Sequence, residues 1–143
     1  QVKLRNHVNV CDPGTIVNPL AVEGQVDGGI SFGVGFALTE AFHPDNPPTL
    51  VGYGIPTTMD VPDTVTRLYV EDPFERGPFG AKSVAEHPGI SPIPAIINAI
   101  SNATGGARVR DIPATPDRVL VAIEANRGVV RLPSKEELAT WPR

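Results

Sequence analysis

The sequence predicts a single mixed α+β domain over residues 1–143, built of helices and short strands. Three observations carry that expectation. Apolar residues alternate loosely over Val2–Asp12 and Val65–Val70, as they do in strands. They recur at helical spacing over Gln25–Phe42 and again from Pro94. The 16 Pro and 14 Gly are interleaved with apolar runs, so they punctuate short ordered elements and do not form a linker.

Taken in order, the first strand ends at Pro13-Gly14, and Asn18-Pro19 marks a further turn. In QVDGGISFGVGFALTEAF, residues Ile30, Val34, Ala37, Leu38 and Ala41 make one helical face. Gly29, Gly33, Ala37 and Ala41 recur every four residues and make a second stripe of small side chains. An internal Gly costs a helix about 1 kcal/mol against Ala, so a backbone, a cofactor or a second helix is expected to approach closely there. Gly33-Val34-Gly35 lacks the third Gly and the leading strand of a dinucleotide fingerprint. Asp27 and Glu40 bracket too short an apolar stretch for a membrane helix. His43–Pro56 is a loop, with a short strand expected at Val51–Ile55, and Thr57–Pro62 is a turn in which Asp60 is a turn former. Pro94 opens a helix with Ile96, Ile97, Ile100 and Ala103 on its buried face and Asn98 and Asn102 on its polar side, and Gly105-Gly106 stops it. Val119–Ala125 is expected as a buried strand, and Ser134-Lys135-Glu136-Glu137 as the capping box of a short terminal helix.

Composition excludes several classes. The chain carries 12 Lys+Arg against 16 Asp+Glu, a net charge of −4, with no basic block, so neither nucleic acid nor an anionic membrane is an expected partner. No apolar run is long enough to span a bilayer, and a cytoplasmic location is the default expectation. The single Cys11 is expected as a small buried hydrophobe; it supplies neither a disulfide nor an iron–sulfur site, and no metal ligand is expected from this chain. The densest Gly/Pro segment is GPFGAKSVAEHPGISPIP, Gly77–Pro94. It holds Ala81, Val84, Ala85 and Ile90 alongside Lys82, Glu86 and His87. An apolar loop fixed by Pro and Gly is suited to holding a functional side chain in place.

The ordered blocks DPGTIVNPLAVEGQVDGGISFGVGFALTEAF, IPTTMDVPD, GPFGAKSVAEHPG, PAIINAISNATG and DIPATPDRV closely resemble the C-terminal segment of the molybdopterin-binding subunit of the xanthine dehydrogenase/aldehyde oxidase family of molybdenum hydroxylases. The resemblance implies a molybdenum-cofactor-binding domain of that type. It implies hydroxylation of an electron-poor carbon with oxygen from water, a carboxylate serving as base. Glu86 matches the family's catalytic glutamate. An apolar setting of Val84, Ala85 and Pro88 would raise a carboxyl pKa toward working pH by desolvation. Gln25 matches the glutamine of the Gly-Gln-x-x-Gly-Gly turn on the pterin side, with a helix-start amide as the alternative, and Gly28 and Gly29 would permit close approach. Lys82, Ser83, Val84 and Ala85 would complete the cofactor-side block, with Lys82 against the cofactor's phosphate region or in a surface ion pair. His87, next to Glu86, is placed to tune it or to bind substrate, or else to face away as neighbouring side chains on extended chain do.

The implied cofactor is a molybdenum–pterin, with the cytosine dinucleotide form as a candidate, bound mostly by other parts of the subunit. Iron–sulfur clusters and FAD are expected on partner subunits. The family has Gly where Ala85 stands, and its subunit is several times longer, so the chain reads as a fragment or split piece that is inactive alone. The Lys-Ser-Val-x-Glu string resembles the purine- and heterocycle-hydroxylating members of the family more than the aldehyde oxidases, which implies an aromatic N-heterocycle, purine- or nicotinate-like, as the small-molecule substrate. An aldehyde-oxidising member and a catalytically silent interaction domain are the alternatives.

Overall fold

The computed structural model describes residues 2–42, 44, 49–50 and 52–128. The expected Ser134 helix lies outside them. A strand, β1 (Asn6–Cys11), leads through a turn into a long helix, α1 (Pro19–Leu38), and then to β2 (Thr64–Tyr69). The two strands pair in parallel, in register from Asn6 opposite Thr64 to Cys11 opposite Tyr69. A short turn of helix, α2 (His87–Ile90), runs into α3 (Pro92–Ala103), and α4 (Pro116–Asn126) follows. The mixed α+β class is as the sequence predicts.

The helix α1 starts earlier than its apolar spacing indicates. Asn18 caps it, its side chain accepting from the Ala21 N–H at 3.1 Å, and Pro19 takes the first helical position, where a missing N–H costs nothing. The Asn18-Pro19 pair is thus a helix start and not merely a turn. Val26, Ile30, Val34 and Ala37 are almost wholly buried against Cys11 on one side and Ile96 and Ile100 on the other. Truncating Ile30, which is 1% exposed, to Ala is expected to lower unfolding free energy by about 2–5 kcal/mol in denaturant titration.

Three expectations are corrected. Val119–Ala125 is not a strand but lies within α4: Pro116 after Thr115 starts a helix, and only Ala122 of that helix is buried. A helix start signal outweighs the β preference of Val119, Val121 and Ile123. Around Val51–Ile55 the described residues form a turn followed by irregular chain. Gly54 there has φ +87°, outside strand geometry, and its carbonyl accepts from Thr39 Oγ1 at 2.5 Å. Within Gly77–Pro94 the chain is less loop-like than expected, because His87–Ile90 is helical and α3 begins at Pro92. The Gly105-Gly106 stop is present, at φ +70° and +96°. Asp60 accepts from the Thr57 N–H and hydroxyl at 2.8 and 2.7 Å, the expected turn.

The inner sheet face puts Asn9 and Cys11 into the interior. Arg67 anchors β2 to α1 through a two-pronged pair with Asp27 at 2.7 and 2.6 Å, and reaches Glu23 at 3.3 Å. The outer face leaves Val8, Val10 and Leu68 half exposed or more. No helix is long and apolar enough to cross a membrane among the described residues.

Candidate active site

The small-residue stripe of α1 is a seat for the next two helices. A Cβ on Gly29 would stand 2.8 Å from the backbone of Pro88 and Gly89, and one on Gly33 would stand 2.6 Å from the Pro92 ring. Close approach by a second helix therefore accounts for these glycines. Pro88 and Gly89 are buried in that seat. Glu86 comes directly before α2, and its carbonyl accepts from the Gly89 N–H at 2.8 Å, closing the turn. Its side chain does not cap the helix. Among the described residues, no hydrogen bond or ion pair engages the Glu86 carboxylate.

Glu86 lines a small cavity of about 220 Å³, walled by Gly24, Gln25, Gly28, Gly29 and Phe32 of α1 on one side and Ala85, Glu86 and Gly89 on the other. The structure thus brings Glu86, Gln25, Gly28, Gly29 and Ala85 together from segments some sixty positions apart in the chain. Lys82, Ser83, Val84 and His87 are not part of the wall. Gly24 and Phe32 are members that sequence reading missed. The signal was present: Gly24, Gly28 and Phe32 follow at four-residue intervals on one face of α1.

One expectation about Glu86 does not hold. Its side chain is exposed, as is Ala85, while Val84 is only partly buried. Pro88 is buried against α1, so it fixes the backbone and does not dry the carboxylate. Desolvation of Glu86 is not supplied by Val84, Ala85 and Pro88.

The cavity wall fits a group approaching from outside the chain. A Cβ at Gly24 or Gly28 would meet nothing within 4 Å, so the chain's own packing does not require glycine at either position. Each nonetheless costs α1 about 1 kcal/mol against Ala. Bare backbone beside the Gln25 amide, which both donates and accepts, suits the edge of a pterin.

Lys82 takes the ion-pair alternative. Its ammonium pairs with Asp12 and lies 3.4 Å from Asp72. The hydrogen bond from Lys82 is the main reason the Asp12 carboxyl is held below the usual carboxylate range, and the same bond raises the Lys82 pKa. A depressed carboxyl pKa contributes stability above the unfolded-state pKa and loses it as pH falls through the folded-state value. The difference in denaturant midpoint between the wild type and Asp12→Asn is therefore expected to be full at neutral pH and to close below the ordinary aspartate range. A difference unchanged into strong acid would contradict the pairing.

A larger concavity of about 730 Å³ opens between residues 2–6 and the helices α3 and α4. Leu4, Ile96, Ile100, Val119 and Ile123 make it apolar, and among the described residues it holds no carboxylate or histidine that could act as a base.

Known proteins resemble this chain in sequence and in fold. Residues 1–62 match the molybdopterin cofactor-binding domain family. The chain is 45% identical over 117 residues to an aldehyde oxidoreductase of Megalodesulfovibrio gigas, covering 81% of this chain and 13% of that protein. It is 38% identical to a putative xanthine dehydrogenase molybdenum-binding subunit of Escherichia coli, over 83% of this chain and 16% of that one. The crystal structure of the Desulfovibrio desulfuricans aldehyde oxidoreductase superposes with a TM-score of 0.79 at 46% identity, covering 84% of this chain and 13% of that chain. The chain belongs to the xanthine dehydrogenase/aldehyde oxidase family of molybdenum hydroxylases. It corresponds to a segment of the molybdopterin-binding subunit, and spans only 13–16% of the length of these relatives.

Proposed function

We propose that this segment supplies the general base, Glu86, of a molybdenum hydroxylase acting on an electron-poor carbon. The observation that carries the reading is the shared cavity. One wall holds Glu86, whose side chain has no hydrogen-bond partner among the described residues, and the facing wall holds Gln25 and bare helix backbone at Gly24 and Gly28. A molybdenum–pterin bound there supplies the electron acceptor and the oxygen donor. Gln25 holds the pterin edge through its amide, and Gly24 and Gly28 let it come close to α1. Glu86 takes up a proton at a carboxylate oxygen, which makes the attacking oxygen more nucleophilic.

The exposed carboxylate needs a lid from elsewhere in the enzyme before it can work in a water-poor site. Separately from that lid, Val8, Val10 and Leu68 on the outer sheet face, half exposed or more, support a covering partner, because parallel strands ordinarily bury both faces. We assign that cover to the remainder of the molybdenum subunit, which also holds most of the cofactor, in its cytosine dinucleotide or simpler form. Iron–sulfur and flavin subunits receive the electrons, and the isolated chain is inactive.

For substrate, the string Lys82-Ser83-Val84-x-Glu86 favours an aromatic N-heterocycle, purine- or nicotinate-like. The relative named nicotine 6-hydroxylase large subunit, 33% identical over 99% of this chain, supports that class. The 45% identity to an aldehyde oxidoreductase favours the aldehyde alternative. The test is assembly: the chain with and without the remainder of its molybdenum subunit is assayed in oxygen-labelled water against a heterocycle and an aromatic aldehyde. Labelled hydroxylated heterocycle from the assembled enzyme alone is expected. Activity of the lone chain, or no label in product, overturns the reading.

A further inference from the structure

Lys82 and Asp12 stand outside the cavity wall and close a knot of bonds four residues before Glu86. Asp12 directly follows β1, and its Oδ1 accepts from the Gly14 N–H at 2.9 Å while its Oδ2 accepts from the Lys82 ammonium. The backbone is sewn at the same place: the Lys82 N–H donates to the Pro13 carbonyl at 2.8 Å and the Thr15 N–H to the Gly80 carbonyl at 3.0 Å. Gly14 and Ala81 form an antiparallel bridge between these bonds. Gly14 sits at φ +62°, and a Cβ there would collide with the Gly80 carbonyl and stand 3.0 Å from the Lys82 nitrogen. Residues 80–82 are thus fixed to the end of β1, which is fixed in turn to the core. On the far side of Glu86, Pro88 and Gly89 are fixed to α1 at Gly29.

Glu86 therefore hangs on a short span between two anchors. We propose that the Asp12–Lys82 pair is a positioning clamp for Glu86, setting the reach of its carboxylate into the cavity. The proposal rests on the assignment of Glu86 as the base. A partly exposed ion pair adds little stability by itself, so the consequence of the clamp is geometric. Displacement of a reacting group by an ångström costs about 10²-fold in rate.

The experiment uses the full molybdenum subunit in its assembled, cofactor-loaded enzyme. Lys82→Met and Asp12→Asn are expected to lower kcat by about 10–10²-fold, leaving KM and molybdenum content unchanged. Hydrogen exchange of a peptide spanning residues 80–89 is expected to quicken in both. Lys82→Arg, which keeps the charge and reach, recovers most of kcat and of the protection. Since the pair acts through Glu86, the double variant Glu86→Gln/Lys82→Met is expected to be no slower than Glu86→Gln alone. Multiplying losses, unchanged kcat with unchanged exchange, or a fall in molybdenum content matching the fall in rate would each overturn the clamp. Full turnover by Glu86→Gln alone overturns the base assignment and the proposal with it. That failure is told from the others because in them Glu86→Gln is slow.

Discussion

Glu86→Gln in the assembled enzyme is expected to keep its molybdenum–pterin content and lose about 10²–10⁴-fold in kcat. The change is close to isosteric and removes only the ability to take up a proton. The fold has little at stake in this carboxylate. It is exposed, it does not cap α2, and the hydrogen bond that closes the turn is made by the Glu86 backbone carbonyl, which the substitution leaves intact. Thermal and denaturant midpoints should therefore match the wild type, so that the loss reports chemistry and not folding. Steady-state turnover, with metal content measured on the same preparation, decides the matter. A variant with near-normal turnover would remove Glu86 from the mechanism.

How much of this was legible from residues follows the range of the forces involved. The α1 core face was readable because Ile30, Val34 and Ala37 repeat at the helical period within one element, although Val26, one turn earlier, was not read as part of it. So was the need for something to approach the small-residue stripe, although periodicity cannot say what approaches. Val119–Ala125 is helical despite its branched residues because the Thr115-Pro116 helix start just before them decides the element. Glu86 and Gln25 came from the order of the motif blocks, but their meeting in one cavity depends on Pro88 and Gly89 lying on Gly29, a contact between distant segments. The Asp12–Lys82 pair is likewise a long-range product of how the turn after β1 folds back. The sequence neighbours expected to dry Glu86 do not do so for a related reason: Pro88 turns its surface to the core and not to the carboxylate.

The two adjacent glycines of α1 are expected to respond to substitution in opposite ways. Gly29→Val places methyl groups where even a Cβ would stand 2.8 Å from the backbone of Pro88 and Gly89. Backbone cannot swing aside as a flexible side chain can, so α2 must lift from α1. Overpacking of this kind costs about 1–3 kcal/mol of stability. The catalytic loss should be larger in proportion, because Glu86 joins directly onto the lifted helix, and a shift near an ångström costs about 10²-fold in kcat. Gly28→Ala meets nothing within 4 Å in this chain and replaces a poor helix former with the best one. It is expected to raise stability by about 1 kcal/mol while lowering molybdenum–pterin occupancy, if bare backbone at Gly28 is there for the pterin. Denaturant titration and metal analysis of the two variants give four independent readings. A Gly28→Ala enzyme that is both more stable and fully loaded would move the cofactor away from this face of α1. The Gly29→Val result would then still stand or fall on the packing of α2 alone.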